Sequence, residues 1–260
     1  MPVTAAARVT RTAWRRGRLA WVLWAVAVLG LAVWPWFDRL LREADRSDLV
    51  LATPDVPAAV VGILSAVTVG AVLASRRPAH PVGWLLLTLG LSLVASGVAT
   101  QYVSYGLLAR PGALPAAAYV AIYPNGVALY VVAACLAFIL LLTPTGTLPH
   151  GRTWPWWATL AKAALVVGVV ASVPAPLTEP YQSVANPLTV PALTGLVVAA
   201  GAVSLAGSGL AILAAAWSLV VRFRRARGTE RQQLRWIALA AVLTVAALLV
   251  LGSLLGGRHQ

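Results

Sequence analysis

Charged side chains are scarce in this chain: only 10% of its 260 residues are Asp, Glu, Lys or Arg, whereas 60% are hydrophobic. Soluble domains carry about 25% charged residues, so this composition excludes an ordinary soluble domain. The mean hydropathy is +0.83. A helix that crosses a membrane needs roughly 20 mostly apolar residues, and stretches of that length recur along the chain. The composition therefore predicts an integral membrane protein.

Residues that usually carry chemistry are also few. Cysteine occurs once, at Cys135, which excludes a disulfide within the chain and a zinc site built on cysteines. His80, His150 and His259 have no second ligand three or four residues away. The chain contains neither a Gly-rich phosphate loop after a strand nor a G-x-S-x-G elbow. We therefore predict no catalytic residue, cofactor or metal in these residues.

Seven apolar stretches predict an all-α, polytopic transmembrane bundle of about seven spans. A basic segment at 1–18 precedes the membrane domain at 19–255, and a short outside end comes after it at 256–260. Lysine is nearly absent beside abundant Arg, Ala, Val and Leu, which is typical of a GC-rich bacterial genome and predicts a multi-pass protein of the bacterial plasma membrane. The predicted spans are Leu19–Phe37, Ala58–Ser75, Gly83–Tyr102, Gly126–Thr143, Trp156–Val173, Leu193–Val221 and Trp236–Leu255.

The arginines predict the orientation, because short loops on the cytoplasmic side carry an excess of Lys and Arg. With a cytoplasmic N-terminus, the outside segments keep only Arg39, Arg42, Arg46, Arg110 and Arg258. Each basic residue near a surface of anionic headgroups contributes about 1 kcal/mol of attraction. The predicted headgroup anchors are Arg15, Arg16, Arg18, Arg76, Arg77, Arg222, Arg224, Arg225, Arg227, Arg231 and Arg235.

The run "RFRRARGTERQQLRW" at 222–236 could suggest a nucleic-acid partner, but it is too short and too close to the next apolar stretch. Gly228 suits the end of one helix, and Thr229 with Gln232 fits a capping box at the start of the next. The run is therefore interpreted as a turn beside the lipid surface, with no nucleic acid bound.

Inside the predicted spans, the one charged residue is Lys162, which lies within reach of the headgroups. Small residues form two stripes that predict close helix packing. Packing within one chain and a homodimer interface both fit these stripes. They consist of Gly83, Gly90 and Gly97 on the third span, and of Ala200, Ser204 and Ser208 on the sixth.

Three stretches resemble a known family: "RRPAHPVGWLLLTLG" (76–90), "LLTPTGTLPHGRTWP" (141–155) and "RFRRARGTERQQLRWIALAA" (222–241). They are similar to the cytoplasmic-side signatures in the N-terminal membrane region of actinobacterial two-component sensor histidine kinases. His80 stands where that pattern has Asn, and Thr143 and Thr147 replace its Phe and Arg. The resemblance covers nearly the whole chain.

The resemblance implies a polytopic bundle that precedes a dimerisation helix and an ATP-binding kinase domain, which would act on a response regulator. No phosphoacceptor histidine or nucleotide-binding glycines come after the seventh predicted span. Kinase activity is therefore expected only if a downstream domain belongs to the full-length protein, and an eighth span would have to precede it. We expect that the chain is either truncated before that span or a standalone seven-span protein.

The sequence supports two functional hypotheses. The first is a membrane-embedded sensor or anchor region of a histidine-kinase-like signalling protein, which reads its stimulus in the bilayer because its loops are too short to fold as domains. The second is a small transporter or permease, which the Pro124–Asn125 break before the fourth span favours and the lack of charges within the spans opposes. A lipid-modifying enzyme lacks a candidate nucleophile.

Overall fold

The computed structural model describes residues 3–51 and 56–225, with side chains from 16 onward apart from those of Phe223 and Arg225. Within these ranges the chain is helical and contains no strand. The helices are Val3–Glu43 (α1), Val56–Arg76 (α2), Pro81–Val103 (α3), Ala117–Val120 (α4), Ala128–Leu142 (α5), Trp154–Ser172 (α6) and Thr194–Arg225 (α7).

Two π-helical segments extend these helices. Ser104–Ala109 continues α3, and Tyr123–Val127 joins α4 to α5. The second contains Pro124, which lacks a backbone N–H and therefore fits poorly inside a regular α-helix. The described residues thus provide six segments long and apolar enough to cross a membrane.

These six segments confirm that a membrane-type helix exists at each of the first six predicted spans, but two ends differ. The α1 helix continues past Phe37 to Glu43, and the helical segment that starts at Pro81 continues past Tyr102 to Ala109. Asp38 therefore lies inside the α1 helix, one residue past the predicted end of the first span, together with Arg39, Arg42 and Glu43. The seventh predicted span, Trp236–Leu255, lies outside the described residues.

The surface of the bundle is apolar, as a lipid-facing surface must be. Val203 is 72% exposed and Leu213 is 68% exposed, and both lie on α7. Soluble monomers rarely expose contiguous apolar surface of this kind. Lys162 is also exposed on α6. The described part of the chain has the architecture of a multi-pass membrane protein.

The helices pack as two groups of three: α1, α2 and α3 contact one another, α5, α6 and α7 contact one another, and α3 also packs against α5. Glycines allow the closest approaches. A Cβ added at Gly83 would lie 2.7 Å from the backbone nitrogen of Ala74, and one at Gly70 would lie 2.9 Å from that of Leu87. Helices α2 and α3 therefore touch backbone to backbone.

The structure places both predicted small-residue stripes at contacts within the chain. A side chain at Gly90 would overlap Val67 on α2, and one at Gly97 would overlap the Trp34 indole on α1. On α7, Ser204 and Ser208 are 3% and 7% exposed where the helix packs in its three-helix group. A homodimer through these stripes would compete with contacts that the chain already makes.

Candidate functional site

One end of the bundle, here called the basic end, is formed by the start of α1 near Arg16, the loop between α2 and α3, the loop between α5 and α6, and the end of α7. The opposite end, here called the polar end, contains the end of α1 and the 173–193 loop. The five acidic residues that the structure describes all lie toward the polar end, and Asp55 and Glu230 lie outside the described residues; the five are Asp38, Glu43, Asp45, Asp48 and Glu179. The described part of the basic end therefore contains arginines and no carboxylate.

The central feature of the basic end is Arg222, near the end of α7. Its guanidinium donates hydrogen bonds to the carbonyl oxygens of Leu141 at 2.7 Å and Thr147 at 2.9 Å, and also to that of Thr143. We call this set of bonds the arginine clamp. The last carbonyls of a helix have no partner within the helix, and a guanidinium with five N–H donors can bind several of them at once. The clamp thus ties α7 to the end of α5 and to the loop after it.

The loop between α2 and α3 joins the same site through His80. The ring Nε2 of His80 lies 3.3 Å from the carbonyl oxygen of Pro144. The backbone at Gly146 has φ +77, which favours glycine, and a Cβ there would lie 3.0 Å from His80 Nε2. Gly146 is therefore required both by its backbone conformation and by its contact with His80.

The three stretches that carry the family resemblance meet in these contacts: His80 belongs to the first, Pro144 and Gly146 to the second, and Arg222 to the third. The sequence predicted that all three stretches lie on the same side of the membrane, but it did not predict that they contact one another. Their separation along the chain hides the contact, since Arg222 lies 79 residues from Thr143.

The predicted headgroup anchors divide into three groups. Arg16, Arg18, Arg76, Arg77 and Arg224 are exposed at the basic end. Arg222 is half-buried and binds backbone carbonyls in the clamp, and its role as a headgroup anchor stays a prediction. The side chains of Arg15 and Arg225, and the whole of Arg227, Arg231 and Arg235, lie outside the described residues.

The polar end is organised by buried side chains. Asp38, 7% exposed, accepts hydrogen bonds from Gln101 Nε2 and, at 3.1 Å, from the backbone nitrogen of Leu51. Gln101 is fully buried, and its Oε1 has no hydrogen-bond partner in the described structure. A search for charged residues missed Gln101, although it is the one side-chain amide in its predicted span.

Tyr181 fastens the 173–193 loop to the end of α3. Its hydroxyl donates to the carbonyl oxygen of Thr100 at 3.2 Å, so the 2.8 Å bond to Ser104 uses the serine proton. Burial raises the pKa of Tyr181, and the hydrogen bond from Ser104 lowers it in part.

Asn125, next to the proline break, fastens the same loop. Its Oδ1 accepts from the backbone nitrogen of Thr178 at 2.9 Å and from its hydroxyl at 2.8 Å, and its Nδ2 donates to the carbonyl oxygen of Pro176. The side chain of Asn125 therefore serves to hold this loop.

The described residues at the two ends form no recognisable reaction centre. Among the described residues, no group of three His, Cys, Asp or Glu side chains could hold a metal ion. Cys135, the one cysteine, is buried in α5. What the basic end can do chemically is present cations to an anionic surface and transmit a displacement from one helix to another through the clamp.

Comparison of the chain with protein-family models, with curated proteins and with solved structures finds no match.

Proposed function

We propose that this chain is the membrane-embedded sensor or anchor region of a histidine-kinase-like signalling protein, with no catalytic residues of its own. The observation that supports this function is the meeting of the three resembling stretches at the basic end. Contact between the three stretches is expected if together they connect the bundle to the part of the chain that comes after α7.

In this proposal the bundle lies in the bacterial plasma membrane with its N-terminus and basic end in the cytoplasm, and Trp236–Leu255 forms a seventh span. The support is the charge distribution, because arginines gather at the basic end while all five acids that the structure describes lie toward the other end. Any response regulator would be reached through a kinase domain, on the same side as the exposed arginines.

The arginine clamp would be the coupling element. Arg222 is bound to the end of α5, α5 packs against α3, and α3 packs against α1 and α2. The contact of His80 with Pro144 crosses between the two three-helix groups, so a change in how the groups meet would shift the loop whose carbonyls hold Arg222. A stimulus acts on such an equilibrium only if it binds or favours one arrangement over the other.

The test uses the product of the complete gene, reconstituted in liposomes and supplied with labelled ATP. We expect autophosphorylation, and we expect Arg222→Gln to change its rate at least several-fold, since a hydrogen bond to a charged group contributes about 1.5–3 kcal/mol. Arg224→Gln removes the same charge from an exposed neighbour and should leave the rate unchanged. A gene without kinase sequence, set among transport genes, would contradict the proposal.

A transporter remains the second candidate, favoured by one observation: Asp38 is a buried acid inside a spanning helix, and such residues often mark ion or substrate paths. Vesicle uptake assays that compare Asp38→Asn with Lys162→Ala would decide between the candidates. Uptake that depends on Asp38 would support transport, while absence of uptake together with autophosphorylation would exclude it.

A further inference from the structure

A groove of about 600 Å³ opens on the side of the bundle at the basic end. It runs along α3 between α1 and α5, that is, along the junction of the two three-helix groups. Leu19, Leu85 and Phe138 form its apolar walls, and Arg16 lies at its edge. The side chain of Arg16 is exposed. The groove therefore combines an apolar channel on the outside of the bundle with a cation at the basic end.

The wall of the groove is fixed by a hydrogen bond. The indole nitrogen of Trp84 donates to the carbonyl oxygen of Pro78 at 3.1 Å, and both residues line the groove. This bond connects the first turn of α3 to the loop that precedes it. Thr88 directs its hydroxyl to the carbonyl oxygen of Trp84 at 2.9 Å, so it presents no free donor to the groove. The interior can accept a hydrocarbon chain without leaving a polar group unpaired.

We propose that this groove binds one anionic phospholipid, with an acyl chain between α1 and α5 and its phosphate near Arg16. Charge favours this occupant over the chain's own segment 226–260, which contains Arg227, Arg231, Arg235 and Arg258 against the single acid Glu230. Placing that segment against Arg16 would bring like charges together, whereas a lipid phosphate supplies the anion that the described part of the basic end lacks.

The position of the groove gives the lipid a regulatory role, and this part rests on the proposed function. Leu142 lines the groove, and its neighbours Leu141 and Thr143 contribute carbonyl oxygens to the arginine clamp. An acyl chain against Leu142 therefore acts one residue away from the bonds that hold α7. Binding of an anionic lipid would favour the arrangement in which the clamp is formed.

Binding can be tested without any signalling assay. The full chain is reconstituted in vesicles with equal amounts of phosphatidylglycerol and phosphatidylcholine, extracted, and examined by native mass spectrometry for retained lipid. We expect one retained phosphatidylglycerol. Thr88→Trp fills the groove and should reduce the retained fraction about tenfold. Thr159→Trp is the matched control, because Thr159 is also exposed and bonds the carbonyl oxygen four residues earlier, at Pro155, on α6.

Charge is tested separately. Arg16→Gln should reduce the preference for phosphatidylglycerol over phosphatidylcholine about fivefold, which corresponds to about 1 kcal/mol. Arg152→Gln removes one exposed charge from the same end without lining the groove and should leave the preference unchanged. Leu85→Ala, which adds no bulk, provides a second variant if Thr88→Trp fails to fold, and it should also lower retention.

Equal retention in Thr88→Trp and Thr159→Trp would overturn the site, and an unchanged lipid preference in Arg16→Gln would overturn its anionic occupant. A disulfide between Phe138→Cys and Thr244→Cys, formed in a Cys135→Ala background, would place the chain's own segment in the groove and also overturn the proposal. None of these results depends on kinase activity, so failure of the lipid site is distinguishable from failure of the proposed function.

Discussion

The two ends of the bundle hold their arginines in different ways. At the polar end, Arg39 pairs with Glu43 at 2.8 Å and Arg46 pairs with Asp48 at 2.9 Å. At the basic end the described residues contain no carboxylate, and Arg222 donates to backbone carbonyls, whereas Arg46 at the polar end combines its carboxylate partner with the carbonyl oxygen of Leu108. The polar end balances its charge within the protein, whereas the basic end keeps a positive excess for its surroundings. This difference connects the orientation, the clamp and the lipid groove in one account.

Buried polar groups differ between the ends as well. The polar end contains buried pairs of side chains, as in Asp38 with Gln101 and Tyr181 with Ser104, and Asp38 and Tyr181 also bind the backbone at Leu51 and Thr100. At the basic end the guanidinium of Arg222, near the end of α7, binds backbone carbonyls at the end of α5 and in the loop after it. Side-chain pairs fix a loop in place, while a clamp near the end of α7 can connect the bundle to the chain beyond that helix.

The largest effect is expected from Arg222→Gln, which removes the clamp. Several bonds to a charged donor are lost, and we expect a decrease of about 3 kcal/mol in the free energy of unfolding. Thermal unfolding in detergent can be followed with a thiol-reactive fluorophore, because the one cysteine, Cys135, is buried in the folded protein. Arg224→Gln, at an exposed position on the same helix, serves as the control. Equal stability of the two variants would contradict the clamp.

The next effect concerns the buried pair at the polar end. Asp38→Ala leaves the Gln101 amide buried without its acceptor and should cost about 2 kcal/mol. The double variant Asp38→Ala with Gln101→Leu removes both partners and should be more stable than Asp38→Ala alone. The same fluorophore assay measures both. Additive losses in the double variant would show that the two side chains do not interact.

Gly146 at the basic end and Gly112 at the polar end have similar backbone conformations, so substituting each by alanine allows a direct comparison of the two ends. Gly146 has φ +77 and faces His80, whereas Gly112 has φ +82 with nothing within 4 Å of an added Cβ. Gly112→Ala should lose only the conformational preference, about 1 kcal/mol, and Gly146→Ala should lose more because His80 must also move. The difference between their unfolding temperatures measures the contact with His80. Equal losses would show that this contact is not tight.

The smallest effect is expected from Tyr181→Phe, which removes one hydroxyl and should cost about 1 kcal/mol. The substitution also changes how the stability of the folded protein depends on pH. Burial raises the pKa of Tyr181 above its ordinary value of 10.0, so the unfolded chain loses the proton first as the pH rises. Stability should therefore fall as the pH rises above this value in the wild type. The fall should be smaller in Tyr181→Phe, and an identical fall in both would contradict the buried hydroxyl.

The sequence predicted where the six helices lie, because hydropathy over about 20 residues is a local property. It did not predict that α1 continues beyond Phe37. The next residue, Asp38, is acceptable in the helix because Gln101 and the Leu51 backbone bind it, and Gln101 lies 63 residues away. A pattern that depends on neighbours along the chain cannot contain this information.

For the candidate site, the sequence indicated where exposed arginines lie, and their binding to headgroups stays a prediction. Exposed arginines such as Arg16 and Arg76 can be predicted from charge and position, since they need only a headgroup surface. Arg222 could not be separated from them, because its acceptors are backbone carbonyls, which have no sequence signature. The resembling stretches pointed to one side of the membrane, and the contact of His80 with Pro144 required the fold.

Cysteine labelling tests the central claim, that the basic end faces the cytoplasm. His150→Cys places an exposed thiol in the loop between α5 and α6, and Gln182→Cys places one in the 173–193 loop, each in a Cys135→Ala background. With a membrane-impermeant maleimide, we predict that Gln182→Cys is labelled in intact cells and that His150→Cys is labelled only after the membrane is opened. Labelling of His150→Cys in intact cells, with Gln182→Cys protected, would contradict the account.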